Sequence, residues 1–327
     1  MKQELIPLYS FQRWKEALEN VPHAFGHTWE SCYGMHLTTG LPTYLYLFES
    51  VNIKVICPLV ERNYQGYIDI VTPYGFSGFV GNQEVPEFPD QWKKFVQEQG
   101  YVSGYIGLNP LFEKETYLPK NEVFHYNTLY VLNLQLSTLE LYQKLSQNRK
   151  RQLKDYNDSS NEFTVDKSVL KDFFLSNYHT FMKERNASQA YNFSLPTLSY
   201  LLDLEHVLLV GYVIKGQVKS VSVIAYTAYA GEYLFNVSMP EAQNKTAALL
   251  WHGIHYLKLK KVPYLNLGGG VKENDSISEF KKRFGAIALP LKCLKQIYIH
   301  SLYEQLCQEK GVDSANREGY FPNYRKP

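Results

Sequence analysis

Hydrophobic and polar positions in the first 136 residues predict a compact mixture of helices and strands. Apolar runs on either side of residues 49–52 have the pattern of a hairpin. The next apolar run, from Tyr67, leads into a loop rich in Pro and Gly that ends at Gly81. The same reading predicts helices at 11–19, 28–37 and 90–99 and strands at 101–108 and 123–136.

The second half opens with a helix, because Ser137 and Glu140 have capping-box spacing. We expect this helix to run to about Tyr156. One face of a later helix, starting near Asn244, carries Ala247, Leu250, Trp251, Ile254 and Leu257. The other predicted elements are helices at 169–183 and 195–203, strands between 206 and 240 with turns at 215–216 and 230–231, a strand at 264–269, a short helix, a strand at 288–294 and a C-terminal helix.

The order of elements repeats along the chain: helices, a strand meander and a helix occur twice. We therefore predict an α/β (α+β) fold with two similar domains, residues 1–140 and 141–327. Each domain is expected to hold a central, mostly antiparallel sheet flanked by helices. A chain of 327 residues is long enough for two medium-sized domains.

Composition narrows the class of protein. Hydrophobic residues make up 45% and charged residues 20%, which are ordinary globular values. The net charge of +2 gives no general attraction to nucleic acid, so we expect no DNA binding. Cys32, Cys57, Cys293 and Cys307 lie in apolar segments without C-x-x-C spacing and are predicted to be reduced, buried thiols. With no signal-peptide core and no apolar run near ~20 residues, we expect a cytoplasmic protein without a transmembrane segment.

The segment Leu265–Gly285, LNLGGGVKENDSISEFKKRFG, gives the strongest chemical signal. A strand leads into Gly268, Gly269 and Gly270, and glycines at a strand end let the backbone approach a ligand closely. Ser276 and Glu279 have capping-box spacing, so a helix should begin just after the loop. Its N-terminus would favour an anion or a developing oxyanion.

Phe280 and Phe284 lie four residues apart and should anchor this helix on the core, which directs Lys281 elsewhere, toward a cleft. The alternative interpretation is a glycine-rich turn followed by a capped helix with solvated basic residues. Spacing by itself leaves both interpretations open.

Two further segments could bind an anion or line a substrate site. In the basic helix 146–156, Arg149 shares a stripe with Leu145 and Leu153, so its guanidinium should be partly desolvated and need an anionic partner. The loop Thr72–Gly81 could line a substrate site through Tyr74, although a packed turn is at least as good an interpretation. A third segment, a polar loop with Arg185 and Tyr191, is a weak signal by itself.

Other chemistries lack their signatures. The nine histidines are scattered and show no H-x-E spacing, so we predict no metal site. G-x-S-x-G and P-loop motifs are absent as well.

The motifs NLGGG and FKKRFG together resemble the signature of the FemAB/FemX-like aminoacyltransferases and their acetyltransferase-like relatives in the GNAT superfamily. The segments SQNRKRQLK, TPYGFSG and the loop with Met182, Arg185, Tyr191 and Phe193 follow in the order of that family. The resemblance covers roughly residues 42–285. It implies two GNAT-like domains, a working cleft formed mainly by the second, and acyl transfer without a metal or a tightly bound cofactor.

The resemblance also implies roles for particular residues. Lys281 is expected to be the cation near a phosphate or oxyanion, with backbone groups of Gly269 and Gly270 beside the reacting carbonyl. The expected substrate-binding residues are Arg149, Tyr74, Tyr191, Arg185, Gly268, Asn266 and Phe280. No general base is assigned, since Asp275 and Glu279 are merely near in sequence.

Three functions remain open at this point. The first is transfer of an aminoacyl or acyl group, with aminoacyl-tRNA as co-substrate, to an amine or hydroxyl of a peptidoglycan, polysaccharide or other cell-envelope precursor; peripheral association with a membrane is compatible with it. The second is acyl-CoA-dependent N-acetylation of a nucleotide sugar or small amine, although MPEAQNKTAALL lacks the glycines of a usual CoA loop. The third is a non-catalytic binding module on the same fold.

Overall fold

The computed structural model describes residues 2–154, 156, 162–270 and 275–326. The chain forms two compact units: unit 1 is Met1–Tyr126 with Pro290–Pro327, and unit 2 is Asn127–Leu289. We predicted a single division at residues 140/141. The chain instead passes between the units twice, so the segment from Pro290 onward belongs to unit 1.

In unit 1 the elements are β1 (Lys2–Pro7), α1 (Phe11–Leu18), α2 (Trp29–Thr39), β2 (Thr43–Ser50), β3 (Ile53–Tyr64), β4 (Tyr67–Val71), β5 (Val80–Gly81), α3 (Phe88–Glu98) and β6 (Ser103–Gly107). Strand β7 (Val123–Asn133) carries the chain into unit 2, which contains α4 (Thr138–Lys144), α5 (Gln147–Gln152), β8 (Phe163–Thr164), α6 (Lys167–Glu184), α7 (Leu195–Asp203), β9 (Val207–Ile214), β10 (Gln217–Tyr226), β11 (Gly231–Ser238), α8 (Thr246–Leu259), β12 (Tyr264–Gly269) and α9 (Ser276–Lys282). Strand β13 (Ile287–Ile297) returns the chain to unit 1, which ends with α10 (His300–Lys310).

Both units have the same strand arrangement. In unit 1 the order is β1-β2-β3-β4-β6-β13, antiparallel except for the parallel pair β4 and β6. In unit 2 it is β8-β9-β10-β11-β12-β7, antiparallel except for the parallel pair β11 and β12. The predicted fold class, with mostly antiparallel mixed sheets flanked by helices, is confirmed.

Short turns explain why the meanders form. Gln65 and Gly66 connect β3 to β4 with φ of 54° and 88°, and Lys215 and Gly216 connect β9 to β10 with φ of 49° and 78°. Positive φ at both central residues is the type I′ geometry, whose twist matches that of paired strands.

Two local features differ from the predictions. Strand β1 was not predicted from the sequence, yet it pairs with β2 along its full length. The predicted helix 137–156 is divided, because Leu145 is extended with ψ of 141°. The Oγ of Ser146 then caps α5 by accepting a hydrogen bond from the Arg149 N–H at 3.3 Å.

Burial confirms the predictions made for the four cysteines and for the apolar face of α8. The four cysteines are buried and free, as predicted. The main core of unit 2 packs α8 through Leu250, Ile254 and Leu257 against the sheet, which confirms the predicted face of that helix. Among the described residues, no helix is long and apolar enough to cross a membrane.

A buried carboxylate fixes the C-terminal segment to the sheet of unit 1. Asp69 on β4 is 1% exposed and accepts hydrogen bonds from the Nε atoms of Arg62 at 2.7 Å and Arg325 at 2.5 Å. The Tyr324 hydroxyl donates to the same carboxylate at 3.1 Å. One anion therefore neutralises part of the charge of two guanidinium groups from distant parts of the chain.

Removing this anion should destabilise the protein. We expect Asp69→Asn to lower the free energy of unfolding by about 3 kcal/mol, because it leaves two partly buried guanidinium groups without a counter-charge. Urea unfolding would measure the change. The control is Glu98→Gln, which removes an exposed pair with Lys94 and should cost less than about 1 kcal/mol. Equal effects of the two substitutions would contradict the assignment.

Candidate active site

The parallel strands β11 and β12 diverge inside unit 2. Their ladder consists of two residue pairs, Gly231 with Leu265 and Glu232 with Asn266. On its other side β12 pairs with β7, with an irregularity between Asn266 and Gly269. The glycine segment therefore lies where β12 has left β11, at the open end of a gap in the sheet.

Side chains hold each of the three glycines. The Oδ1 of Asn266 accepts a hydrogen bond from the Gly268 N–H at 2.7 Å. The ammonium of Lys281 donates to the Gly269 carbonyl at 2.5 Å, and the Nδ2 of Asn127 donates to the Gly270 carbonyl at 2.8 Å. The Gly268 amide is thus engaged within the turn, and the lysine binds a carbonyl rather than a carboxylate.

Glycine is favoured at the first two of these positions. Gly268 has φ of +79°, and a Cβ there would lie 3.2 Å from the Nζ of Lys281. A Cβ on Gly269 would lie 3.0 Å from the Thr128 carbonyl oxygen. The sequence predicted close approach of this backbone to a ligand; in the described structure the group that approaches it is the Lys281 ammonium.

Helix α9 positions the lysine. Its N-cap is Asp275, whose Oδ1 accepts from the Ser278 N–H at 2.7 Å, and not Ser276 as the capping-box spacing suggested. Phe284 is buried and Phe280 half-buried against the core, as predicted. The same helix buries Lys281, which is 8% exposed.

Burial changes the chemistry of this lysine. Desolvation lowers the pKa of Lys281 to about 8, although the charge of Asp275 opposes the shift. An ammonium has three N–H donors, and the described residues accept one of them, through Gly269. The remaining donors are suited to an oxyanion or phosphate.

Arg149 is a second buried cation in the same unit. It is 6% exposed, and its guanidinium lies 4.1 Å from the Phe280 ring centre and 5.2 Å from that of Phe284. It donates to the side-chain oxygen of Gln152 and to the Phe280 carbonyl at 3.5 Å, while its buried Nε has no hydrogen-bond partner in the described chain. Burial, aided by the charge of Arg283, lowers its pKa to about 10.

The two cations belong to one packed arrangement. Arg149 rests on phenylalanines that flank Lys281 in sequence, and the Ser146 N–H donates to the Arg283 carbonyl at 2.9 Å. Gly285 has φ of +74°, and a Cβ there would lie 2.6 Å from the Cβ of Lys144. The α4–α5 junction and the end of α9 are therefore in direct contact, which the sequence did not reveal.

Three other predicted substrate-binding residues have different described contacts or belong to the other unit. Arg185, exposed at the end of α6, stacks on Phe181 at 3.5 Å. Tyr191 is half-buried, and its carbonyl accepts from the Tyr178 hydroxyl at 2.8 Å. Tyr74 lies in unit 1, and its place in a substrate site stays a prediction.

The loop that contains Tyr74 follows β4, the counterpart of β11 in unit 1. Its residue Thr72 accepts from the Gly107 N–H at 3.0 Å, and the Phe76 carbonyl accepts from Asn109 at 2.7 Å. Ser77 forms a parallel bridge with Leu108. In unit 1 this loop therefore pairs with the residues that follow β6. In unit 2 the corresponding strand is β12, and its end carries the glycines and contacts Lys281.

Sequence reasoning missed two residues of this centre. Asn127 is distant in sequence and has no motif around it, so nothing marked its contact with Gly270. Glu232 is 6% exposed and pairs with Asn266 in the strand ladder; a charged residue in a predicted apolar strand is the signal that marks it.

No family model and no curated protein matches this sequence. Solved structures match it in fold. A crystal structure of FemX aligns with a TM-score of 0.69, at 10% identity, over 93% of this chain and 99% of the FemX chain. This chain has the FemX fold.

Two other solved structures also align over most of both chains. A conserved protein of unknown function from Bacteroides thetaiotaomicron aligns at a TM-score of 0.58 and 8% identity, over 91% of this chain and 99% of its own. L-PGS from Bacillus licheniformis aligns at 0.54 and 12% identity, over 88% of this chain and 91% of its own. The predicted resemblance is confirmed in fold.

A buried cation whose role is to bind a ligand should lower the free energy of unfolding of the ligand-free protein, because its desolvation is not compensated within the fold. We expect Lys281→Met to raise the free energy of unfolding at pH 7 by up to about 3 kcal/mol, the penalty implied by a pKa of about 8 instead of 10.5. The penalty is complete below pH 8, where lysine is charged in both states. It decreases between pH 8 and 10.5 and vanishes above that range.

Chemical denaturation at pH 7 and pH 10.5 would measure this difference. The matched control is Lys282→Met, which removes a neighbouring lysine that pairs with Glu279 at 3.0 Å near the surface. It should change stability by less than about 1 kcal/mol at both pH values. A large loss of stability in Lys281→Met at pH 7 would show that the lysine supports the fold.

Proposed function

We propose that this protein is an acyltransferase of the FemX type, which transfers an aminoacyl group from an aminoacyl ester to an amine or hydroxyl of a cell-envelope precursor. The observation that carries the proposal is the buried Lys281 at the divergence of β11 and β12. The shared fold with FemX supports it.

The chemistry needs the groups that this site offers. A neutral amine attacks the ester carbonyl, a C–N bond forms, and the carbonyl oxygen becomes an oxyanion. When the intermediate collapses, the ester C–O bond breaks and one proton passes from the attacking nitrogen to the departing oxygen. A fixed ammonium with spare donors in a site shielded from water stabilises the oxyanion without reorganisation.

Arg149 fits the anionic part of a substrate. Its guanidinium is oriented by two phenylalanines and Gln152, and none of the described carboxylates pairs with it. A phosphate or carboxylate would compensate the desolvation that burial imposes. Further basic residues lie on the adjoining segments, which suits a polyanionic donor such as aminoacyl-tRNA; they are Lys144, Lys150, Arg151, Lys154, Lys282 and Arg283.

One observation weighs against acyl-CoA as the donor. The segment Pro240–Lys245, after β11, forms a 3-10 helix that continues directly into α8, with Lys245 and Thr246 both in helical conformation. A diphosphate needs free N–H groups in a loop before a helix, and this continuous turn of helix occupies that position.

Transfer activity should depend on tRNA and on Lys281. We expect transfer of a labelled amino acid from a pool of charged tRNA to a nucleotide-linked or lipid-linked peptidoglycan precursor. Lys281→Met should reduce kcat by at least about 100-fold, the scale of losing one oxyanion donor. Lys282→Met is the matched control and should retain activity.

RNase treatment should abolish this transfer, and acetyl-CoA should not replace the charged tRNA. Turnover that survives RNase would contradict the assigned donor and favour acyl-CoA. Binding of precursor without any transfer, unchanged in Lys281→Met, would instead indicate a non-catalytic module.

The pH profile gives a separate test of the charge on Lys281. Because its pKa is about 8, the catalytic ammonium should be lost as pH rises through 8, so kcat should fall above that pH. Lys281→Arg keeps a cation to much higher pH. We expect that variant to be slower at pH 7 but to show no fall between pH 8 and 9.5, and a wild-type rate that rises across this interval would contradict the role.

A further inference from the structure

Unit 1 contains an open cavity of about 460 Å³, a volume typical of small-molecule sites. Helix α2 contributes Trp29, Tyr33 and His36 from one face, since they are spaced at i, i+4 and i+7. The end of β1 and the start of β2 complete the lining, which consists of Pro7, Leu8, Tyr9, Trp29, Tyr33, His36, Pro42, Thr43 and Tyr44.

Aromatic rings dominate this cavity and are held in place. The rings of Trp29 and Tyr33 are stacked at 4.8 Å, with 9° between their planes. The Nε1 of Trp29 donates to the Leu8 carbonyl at 2.6 Å, which fixes the indole at the end of β1. Tyr9 is 90% exposed, so its ring is accessible to a ligand.

The charges around the cavity favour a cation. Among the described lining residues there is no lysine or arginine. Burial and the negative charge of the nearby Glu61 carboxylate raise the pKa of Tyr44. A carboxylate beside an aromatic ring of the lining makes the surroundings of the cavity more favourable for a cation.

His36 and Lys15 are compatible with this preference. The Nδ1 of His36 donates to the Leu41 carbonyl at 2.8 Å, so the neutral ring carries its lone pair on Nε2 and offers an acceptor. The nearby Lys15 lies 4.2 Å from the Phe11 ring, which packs edge-on against Trp29, and is within 3.7 Å of Glu30. The same aromatic cluster thus already receives one ammonium group at its edge.

We infer that this cavity binds a small molecule carrying a quaternary ammonium group, with the rings of Tyr9, Trp29, Tyr33 and Tyr44 around the cation. Quaternary ammonium cannot donate hydrogen bonds, which suits a lining of ring faces and proline. The site belongs to unit 1 and does not depend on the acyltransferase proposed for unit 2.

Ligand-detected NMR on the full chain tests this inference, because both probes give a sharp methyl singlet. Choline is compared with 3,3-dimethyl-1-butanol, its neutral isostere. We expect choline to bind at least about tenfold more tightly, the factor that cation–π attraction supplies. Equal binding of the two probes, or binding of neither, would overturn the inference.

Variants locate the site. Tyr9→Leu should weaken choline binding about fivefold or more and should fold normally, since Tyr9 is so exposed. The matched control is Tyr67→Leu, which alters another exposed tyrosine of unit 1 outside the cavity and should leave Kd unchanged. Equal losses in both variants would also contradict the site.

Co-sedimentation with lipid vesicles identifies the source of the ammonium group. Binding to phosphatidylcholine vesicles that Tyr9→Leu abolishes would assign it to a lipid headgroup. Choline binding without vesicle binding would assign it to a free metabolite. Vesicle binding that persists unchanged in Tyr9→Leu would count against the cavity as the site.

Discussion

The contact between the Lys281 ammonium and the Gly269 carbonyl is the interaction on which the proposed active site depends. A charge that is 8% exposed and bonded to a neutral carbonyl retains much of its desolvation penalty. The fold tolerates that penalty because α9 is anchored by Phe284 and capped by Asp275, and because Asn127 and Asn266 hold the glycines on either side. The position of the charge is therefore imposed by its surroundings, and a ligand can use it without reorganising the site.

The strand arrangement makes this placement possible. In each unit a parallel pair of strands separates after two residue pairs, which leaves a gap in a sheet that is otherwise closed by hydrogen bonds. Unit 1 closes its own gap with the Thr72–Gly81 loop, through Thr72, Ser77 and Asn109. Unit 2 instead has a glycine turn and a cation there. The same strand topology is thus closed by a packed loop in unit 1 and forms the candidate active site in unit 2.

Arg149 shows how packing gives a basic side chain a defined position. On a surface helix a guanidinium would be solvated and mobile, but here it is sandwiched against two rings of the helix that carries Lys281. The break at Leu145 and the cap at Ser146 direct it there. Because its charge is isolated from the described carboxylates, the arrangement is more readily explained by an anionic ligand than by stability.

Periodicity, turn residues and caps were enough to predict the succession of helices and strands and the twofold repeat of their order, because those signals are local. They were also enough to place Arg149 on an apolar stripe and to bury the four cysteines. They could not predict β1, the exchange of the segment after Pro290 into unit 1, or the contact of Asn127 with Gly270, since each depends on residues distant in the chain. The aromatic cavity and the lowered pKa of Lys281 were decided by tertiary structure as well, because burial and neighbouring charge exist only once the chain has packed.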